Sequence, residues 1–398
     1  MQVDGLEGAR VYFSPCGIGF GHVSRSVSIA EGVASRGGEV LFSTYLEAVD
    51  YVRKYGFPVL SAPPIQMEND PTGSIDIKSS TVEQGLTAFP TLLDQVRFEI
   101  RGMMTFEADL VFSDSRVSSI IAARLLKIPV VLLLNQFLPR APRVKDTNLF
   151  KVFDGTVLTI LGRTWALSDI IVIPDFPEPY TISLDSLRIP RRVGARVRLV
   201  GSILQEKPGE KINSHEIRER LGVREDQRLI YAGISGPRAE REPLIRLLEP
   251  IFAGFPDKYR VLMSMGTPNG GSDPTENGAL TVIPWLENRF EYLNACDLVI
   301  SRGGHETIMQ SICYGKPAVI IPVPRHPEQY GNARRAMELG VATAIHQRDI
   351  DRDSLVALLD RMMGSSRYRW VLDDINSKEH LGDGLENTLE VINETLRR

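Results

Sequence analysis

The segment 295–340, ACDLVISRGGHETIMQSICYGKPAVIIPVPRHPEQYGNARRAMELG, decides the fold class. Its apolar run Leu298–Ser301 ends at a glycine-containing turn, and a stretch with helical spacing follows. A second apolar run, Ala318–Ile321, repeats this order of strand, turn and helix. Continuous apolar strands belong to parallel sheets that are covered on both faces. The segment therefore predicts a doubly wound α/β domain.

The same alternation occurs on both sides of a break near residues 195–208. The predicted strands before the break are Val11–Ser14, Glu39–Ser43, Leu110–Ser113, Val130–Leu134 and Ile170–Ile173. Those after it are Leu229–Ala232, Arg260–Ser264, Leu280–Ile283, Leu298–Ser301 and Ala318–Ile321. We predict an N-terminal α/β domain over 1–195 and a C-terminal α/β domain over 196–380. A helix within 381–398 is expected to pack back on the N-terminal domain.

Composition excludes several classes of protein. The 398 residues carry 46 Lys and Arg against 50 Asp and Glu, a net charge of −4, and are 43% hydrophobic. This balance disfavours long disorder and a broad nucleic-acid-binding surface. Three cysteines without CxxC spacing fit neither a disulfide framework nor a zinc site. The N-terminus lacks the features of a signal peptide, and Arg163 and Asp169 interrupt the apolar stretch 156–174. We therefore expect a cytoplasmic protein.

The first predicted strand runs into a glycine-rich loop, PCGIGFGHVSR, at residues 15–25. Gly17, Gly19 and Gly21 allow a tight turn and expose backbone amides at the start of a helix. His22 follows in the first helical turn, where the positive helix end favours the neutral imidazole. Such an imidazole can accept a proton from a substrate hydroxyl. The alternative is a histidine that packs against the loop.

Asp114 ends a strand of the same predicted sheet, so its side chain can meet His22 at the carboxyl edge. A carboxylate on one ring nitrogen orients a general base. Asp is also a good N-cap, and the sequence leaves open whether Asp114 instead caps the helix that starts near Arg116.

The turn at Arg302, Gly303 and Gly304 predicts a diphosphate cradle, because it combines glycines, a cation and the amides of a helix start. Other polar groups surround this turn in the predicted fold. Gln310, about one helical turn on, could reach a ribose hydroxyl. Glu328, Gln329 and Asn332 head another predicted helix and could bind the hydroxyls of a sugar, although polar residues are common at helix starts.

These motifs together resemble the donor-binding signature of GT-B glycosyltransferases. The chain is similar to the bacterial enzymes that add N-acetylglucosamine to lipid-linked muramyl pentapeptide, and to plant and animal UDP-sugar glycosyltransferases. The matching positions are Gly303, Gly304, Thr307, Gln310, Gly315, Pro317, Glu328, Gln329, Asn332 and Ala333. The loop GIGFGHVSR resembles the family's first glycine-rich loop, and Asp114 stands where plant relatives keep the aspartate that partners the histidine. The resemblance extends over nearly the whole chain.

The resemblance implies two Rossmann-like domains that face each other across a cleft. It implies transfer of a hexose or N-acetylhexosamine from a UDP-linked donor to a small-molecule or lipid-linked acceptor, with His22 and Asp114 catalytic. The nucleotide-sugar is a substrate, and neither a cofactor nor a metal is implied. The DxD segment Asp349–Asp351 is expected to cap a helix instead of holding a metal.

The resemblance also assigns the donor site in more detail. The diphosphate site implied is Arg302, Gly303, Gly304, His305, Glu306, Thr307, Ser235 and Gly236. Backbone groups of Leu286 would bind the base with Trp285 against its ring, although plain core packing is the alternative for Trp285. Three positions depart from the family. Gln310 replaces a common Glu, Gln205 replaces a phosphate-binding Arg, and Glu306 puts a negative charge near the diphosphate.

Three rival functions remain open from the sequence. They are a UDP-sugar 2-epimerase of the same fold, a protein that binds a sugar nucleotide without turnover, and a dehydrogenase. A peripheral contact with the inner face of a membrane is a further expectation, through Lys151–Trp165 and the basic residues between Arg188 and Arg198. The alternative for these two segments is a buried helix and a solvated hinge.

Overall fold

A computed structural model describes residues 5–18, 20–64, 83–137, 161–209, 214–234, 236–267, 270–271, 273–378 and 381–398. The chain forms two α/β domains, each built on a seven-stranded sheet. The doubly wound architecture predicted from the sequence is confirmed.

The first sheet is parallel throughout and has the strand order β3-β2-β1-β4-β5-β6-β7. Its strands are β1 Arg10–Pro15, β2 Glu39–Thr44, β3 Val59–Ser61, β4 Leu110–Asp114, β5 Val130–Leu133, β6 Ile170–Ile173 and β7 Val197–Leu199. The helices among its described residues include α1 Gly21–Ala34, α2 Glu47–Lys54, α3 Glu83–Phe106, α4 Val117–Leu126 and α5 Leu184–Leu187.

The second sheet has the order β10-β11-β9-β8-β12-β13-β14, in which only the pair β10–β11 is antiparallel. Its strands are β8 Arg228–Gly233, β9 Tyr259–Ser264, β10 Thr275–Asn277, β11 Leu280–Ile283, β12 Leu298–Ser301, β13 Ala318–Ile320 and β14 Ala342–Ala344. The accompanying helices are α6 Ser214–Arg220, α7 Arg238–Ala253, α8 Arg289–Ala295, α9 His305–Cys313, α10 Pro327–Glu338, α11 Arg352–Met363 and α12 Arg367–Lys378. The last helix of the chain is α13 Gly384–Leu396.

The strands are apolar on both faces because each sheet separates two hydrophobic clusters. Leu110 and Phe112 of β4 enter one cluster, whereas Val111 between them enters the cluster on the opposite face. All five residues of β4 are buried. This double coverage explains why the strands are recognisable in the sequence as unbroken apolar runs.

The boundary between the domains lies later than predicted. Val197–Leu199 pairs with β6 and is the edge strand of the first sheet, so the first domain extends beyond residue 195. Helix α13 returns to this domain and packs on α1. Leu389 approaches Gly32 so closely that a Cβ there would lie 2.6 Å from its Cδ1. Among the helices of the described ranges, none is long and apolar enough to cross a bilayer.

Each sheet has one place where the winding direction reverses. In the first sheet β1 lies beside β4, and in the second β8 lies beside β12. In open α/β sheets ligands bind outside the carboxyl ends of the strands at such a reversal. The loop to α1 and Asp114 lie at the first reversal, and the loops after β8 and β12 lie at the second.

Candidate active site

His22 and Asp114 are in direct contact at the carboxyl end of the first sheet. Nδ1 of His22 lies 2.7 Å from Oδ1 of Asp114. The Asp114 side chain is fully buried, whereas 28% of the His22 side chain is exposed. Asp114 is not a helix cap, since the N-cap of α4 is Arg116. The contact exists because β1 and β4 are neighbours in register, with Pro15 opposite Asp114.

Arg25 is the second partner of Asp114. It lies one helical turn after His22 in α1 and is buried. Its Nε lies 2.6 Å from Oδ2 of Asp114 and its Nη2 lies 2.6 Å from Oδ1, so the guanidinium binds both oxygens. Nη1 donates to the side-chain oxygen of Asn135. The arginine thus fixes the carboxylate in one orientation beneath the imidazole.

Asp114 is ionised at neutral pH. Burial alone would raise the pKa of this carboxyl, but Arg25 and His22 outweigh burial and lower it to about 2. Nδ1 of His22 also lies 3.0 Å from Nη2 of Arg25, but its contact with the carboxylate is shorter. Since a carboxylate only accepts hydrogen bonds, we assign the proton of the neutral imidazole to Nδ1. Nε2 then carries the lone pair, which is the arrangement of a general base.

The backbone around this pair is tightly constrained. Ser115, directly after Asp114, has a φ of 64°, a left-handed conformation that a non-glycine residue adopts at a cost. A Cβ at Gly17 would lie 2.1 Å from the carbonyl oxygen of Tyr45, so only glycine fits there. Both features hold the loop that carries His22 against the sheet.

A cavity of about 250 Å³ lies between the two domains. From the first domain it is lined by Gly21, His22 and Arg25, among others. From the second domain it is lined by the start of α9, with Gly304, His305, Glu306 and Thr307. Gly233 and Ile234 after β8 also contribute. The candidate base and the predicted diphosphate turn therefore face the same cavity.

The two domains are also joined by Trp285, which belongs to the hydrophobic cluster of the first domain. Its ring packs edge-on against Phe20 at 5.7 Å and Tyr51 at 5.6 Å, between ring centroids. The Nζ of Lys54 lies 5.3 Å from the centre of the ring. Trp285 therefore packs the two domains together, and because it also lines the cavity, its contact with a nucleobase stays a prediction. Leu286 lines the cavity beside it.

Comparisons with known proteins agree with this geometry. Residues 248–380 match the sequence profile of the glycosyltransferase family 28 C-terminal domain. An uncharacterized glycosyltransferase of Methanosarcina acetivorans is 29% identical over 80% of this chain and 79% of its own length. A calicheamicin glycosyltransferase, CalG4, superposes with a TM-score of 0.65 at 16% identity, over 98% of this chain and 99% of its own. The chain is a glycosyltransferase with the GT-B fold.

A third similar protein is the UDP-N-acetylglucosamine–N-acetylmuramyl-(pentapeptide) pyrophosphoryl-undecaprenol N-acetylglucosamine transferase of Caldicellulosiruptor saccharolyticus. It is 24% identical over 46% of this chain and 52% of its own length. The resemblance inferred from the two glycine-rich motifs is confirmed by these matches.

The glycosyltransferase does not use Arg302 as predicted. This side chain is only 3% exposed. Nη2 donates to the carbonyl oxygen of Glu240 at 2.6 Å and Nη1 to Oε1 of Gln347 at 2.8 Å, so the arginine points into its own domain. The prediction that Arg302 binds a diphosphate is wrong, because the turn directs its side chain away from the cleft.

Gln329 and Asn332 hold the turn instead of lining the cavity. Oε1 of Gln329 accepts from the amides of Gly303 at 3.2 Å and Val323 at 2.9 Å. Nδ2 of Asn332 donates to the carbonyl oxygen of Gly303 at 3.1 Å. The amide of Gly303 is therefore occupied and is not free to bind a diphosphate as predicted. The predicted sugar-binding roles of Gln329 and Asn332 are corrected as well, because both side chains are used to hold the turn. Glu328 does line the cavity, where it accepts from Nε2 of Gln136 at 2.8 Å.

His305 lines the cavity, but its side chain is almost fully buried and lies against the first domain. Its Nε2 lies 3.0 Å from Oδ2 of Asp175, a buried residue after β6, and the His305 side chain is 2% exposed. Burial alone would raise the pKa of Asp175, but His305 and the donors of Ser183 and Ile182 lower it below its ordinary value. The pair ties the start of α9 to the first domain.

Glu306 is neutralised by neighbours that the sequence did not indicate. Its Oε1 accepts from Nη2 of Arg289 at 2.7 Å and from Nε2 of Gln310 at 2.8 Å. Gln310 is buried and lines the cavity. Oε2 faces the first domain, 3.8 Å from the position of a Cβ built on Gly21.

The remaining predictions concern the margins of the site. Gly236 has a φ of 118°, which favours glycine, and it lies outside the cavity lining. Ser235, Gly19 and most of Lys151–Trp165 lie outside the described residues. Asp351 caps α11 by accepting from the amide of Ser354 at 2.9 Å, which confirms the interpretation of the DxD segment. Within the described ranges, no group of three or more His, Cys, Asp or Glu side chains could hold a metal ion.

Arg25 and Arg289 were missed by the sequence-based reasoning. One signal was available for Arg25, which stands three positions after His22 on the same helix and can therefore share its face. No local pattern marked Arg289, because its partner Glu306 lies on a different helix.

Proposed function

We propose that the enzyme transfers a hexose or an N-acetylhexosamine from a UDP-linked donor to a hydroxyl or phosphate group of an acceptor. The observation that supports the proposal is that His22 and the first turn of α9 line one cavity from opposite domains. The donor's diphosphate would lie at α9, with its sugar near Glu328. The acceptor would bind against the first domain.

For a hydroxyl acceptor, the proposed reaction is a displacement at the anomeric carbon of the sugar. Nε2 of His22 takes the proton of the hydroxyl as its oxygen bonds to that carbon. The bond from the carbon to the diphosphate oxygen breaks, and the electron pair leaves with the nucleoside diphosphate. The free amides at the start of α9 stabilise the departing charge, a term that is often the largest in such reactions.

The assignment of a UDP-linked donor rests on the similar enzyme of Caldicellulosiruptor saccharolyticus, whose name specifies UDP-N-acetylglucosamine. The same name specifies a pyrophosphoryl-undecaprenol acceptor, and we propose a lipid-linked acceptor alongside small molecules. A lipid-linked acceptor would place the enzyme in the cytoplasm at the inner face of the membrane.

We further propose that transfer needs neither a metal nor a cofactor, because the helix start of α9 supplies the positive field for the leaving group. Transfer measured with EDTA should equal transfer measured with Mg²⁺ or Mn²⁺. A loss of activity in EDTA that Mg²⁺ restores would contradict this part of the proposal.

A thermal-shift series with UDP, TDP, GDP and ADP tests the donor site first. A tenfold excess over Kd stabilises the folded protein by about 1.4 kcal/mol, and UDP should give the largest shift. Stabilisation by NAD(P) with none by UDP would indicate a dehydrogenase.

Analysis of the products from the nucleotide-sugar then tests the chemistry. Transfer releases UDP and forms a glycoside. An epimerised sugar nucleotide without transfer would indicate a 2-epimerase. Binding without turnover, unchanged by His22→Ala and Asp114→Ala, would indicate a binding protein.

A further inference from the structure

Arg289 is the one cation of the described cavity lining that has uncommitted donors. Among the described lining residues, Arg25 and Arg289 are the only arginines or lysines. Arg25 already uses Nε and Nη2 on Asp114 and Nη1 on Asn135. Arg289 makes one charged contact, to Glu306, and its Nε has no hydrogen-bond partner.

Arg289 is placed close to the start of α9. It is the first residue of α8, a helix capped by Asn288, whose side chain accepts from the amide of Phe290 at 3.0 Å. Its guanidinium carbon lies 5.1 Å from the ring centre of Phe290. The side chain is 34% exposed and lines the cavity, while its Nε is itself buried.

Glu306 occupies the position in which an anion is favoured. It lies in the first turn of α9 and extends towards Gly21, the first residue of α1. Both helix starts carry positive partial charge and unpaired amides, a field that favours a carboxylate and a phosphate alike. With only 17% of its side chain exposed, Glu306 would repel a diphosphate brought beside it.

We propose that Arg289 is the cation that binds the donor's diphosphate, and that Glu306 is an internal competitor that holds Arg289 until the nucleotide arrives. The inference rests on the proposed function, because it assumes a nucleoside diphosphate at α9. On binding, the guanidinium exchanges the carboxylate for phosphate oxygens, while Glu306 keeps its contact with Gln310. The exchange lowers affinity for the nucleotide and so favours release of the diphosphate product.

Calorimetric titration with UDP and with uridine tests the exchange, because uridine lacks the diphosphate. Glu306→Gln removes the competing charge and should lower the Kd for UDP by about fivefold to tenfold without changing that for uridine. Arg289→Gln should raise the Kd for UDP by about tenfold, again without an effect on uridine. When Arg289→Gln is already present, adding Glu306→Gln should no longer lower the Kd for UDP, because the effects of the two substitutions are coupled.

Two further variants control the experiment. Glu291→Gln removes a carboxylate from the same helix as Arg289, but its partner is Arg220 and neither lines the cavity, so both Kd values should stay unchanged. Arg289→Lys keeps the charge and should retain more UDP affinity than Arg289→Gln. Melting temperatures of the free variants show whether each is folded.

Three results would overturn the inference. Equal weakening of UDP and uridine by Glu306→Gln would mean that Glu306 binds the ribose. Unchanged UDP affinity in folded Glu306→Gln or Arg289→Gln would mean that the pair is structural. Failure of the unsubstituted enzyme to bind UDP or another nucleoside diphosphate would reject the proposed function, and the inference with it. Normal UDP binding by the unsubstituted enzyme, with no change in the variants, would reject the inference alone.

Discussion

At the residue scale, the carboxylate of Asp114 binds two partners. Arg25 binds both carboxylate oxygens, and His22 shares one of them. Because the guanidinium binds both oxygens, the carboxylate is held in the orientation that directs the imidazole. We therefore expect the cluster to fix the orientation of His22 before the substrate binds.

We predict that His22→Ala lowers the turnover number by about 10²–10⁴, because the proton acceptor is lost. The Kd for UDP should change little, since the proposed function places the acceptor, and not the donor's nucleotide, beside His22. Steady-state kinetics with calorimetry measure the two quantities. His215→Ala is a suitable control, because His215 is 70% exposed on α6. A large loss of UDP affinity in His22→Ala would reassign the residue to donor binding.

Glu240 allows a prediction about pH and stability. This residue of α7 is buried, and burial raises its pKa from 4.5 to about 7; Arg302 opposes the shift and Glu328 adds to it. Between these two pH values, the carboxyl of Glu240 is ionised in the unfolded chain but still protonated in the folded chain. Stability therefore falls as the pH rises through this window, by about 3 kcal/mol in total.

Glu240→Gln should accordingly raise the melting temperature at pH 8 and leave it nearly unchanged at pH 4.5. Differential scanning calorimetry at the two pH values measures this, with Glu249→Gln on the same helix as the control. A melting temperature that falls equally at both pH values would show that the ionisation of Glu240 does not limit stability.

At the element scale, two adjacent glycines at the start of α9 have different functions. A Cβ on Gly304 meets no protein atom within 4 Å, whereas a Cβ on Gly303 would lie 2.6 Å from the carbonyl oxygen of Gln329. Gly303 is therefore needed for folding of the turn, and Gly304 borders the space that we assign to the diphosphate.

We predict that Gly304→Val keeps the melting temperature of the free protein but weakens UDP binding by at least tenfold through steric exclusion. Gly303→Ala should lower the melting temperature, because backbone atoms must shift. Thermal shifts with and without UDP measure both effects. Normal UDP binding by folded Gly304→Val would remove α9 from the donor site.

The order of the strands and the packing of the helices explain which parts of the site can be predicted from the sequence. The contact between His22 and Asp114 follows from two strands that are neighbours in a parallel sheet, so the sequence pattern was enough to expect it. The direction of the Arg302 side chain was not predictable. It depends on the turn and on acceptors at Glu240 and Gln347, which are remote in sequence. The Arg289–Glu306 pair likewise depends on how two helices pack.

At the scale of the whole molecule, both domains and most strands were predictable because double coverage leaves unbroken apolar runs. The boundary was placed too early because β7 is a short edge strand of which only Val197 is buried, and its pattern resembles a linker. The way in which the domains meet was not predictable. Trp285, which the resemblance places against the nucleobase, also reaches into the hydrophobic cluster of the other domain.

We predict that Trp285→Ala loosens the contact between the domains, because it removes a ring that packs on Phe20 and Tyr51. The radius of gyration of the free protein in small-angle X-ray scattering should increase. Trp370→Ala is the matched control, because Trp370 is 69% exposed on α12. An unchanged radius in folded Trp285→Ala would show that other contacts suffice to hold the cleft.

A crystal structure of the enzyme with UDP tests most directly whether the imidazole and the diphosphate share one cleft. The diphosphate should lie on the first-turn amides of α9, with Arg289 contacting it and Nε2 of His22 pointing into the same cavity. A diphosphate bound away from α9 would contradict the account. So would a diphosphate bound at α9 in a cavity from which His22 is excluded.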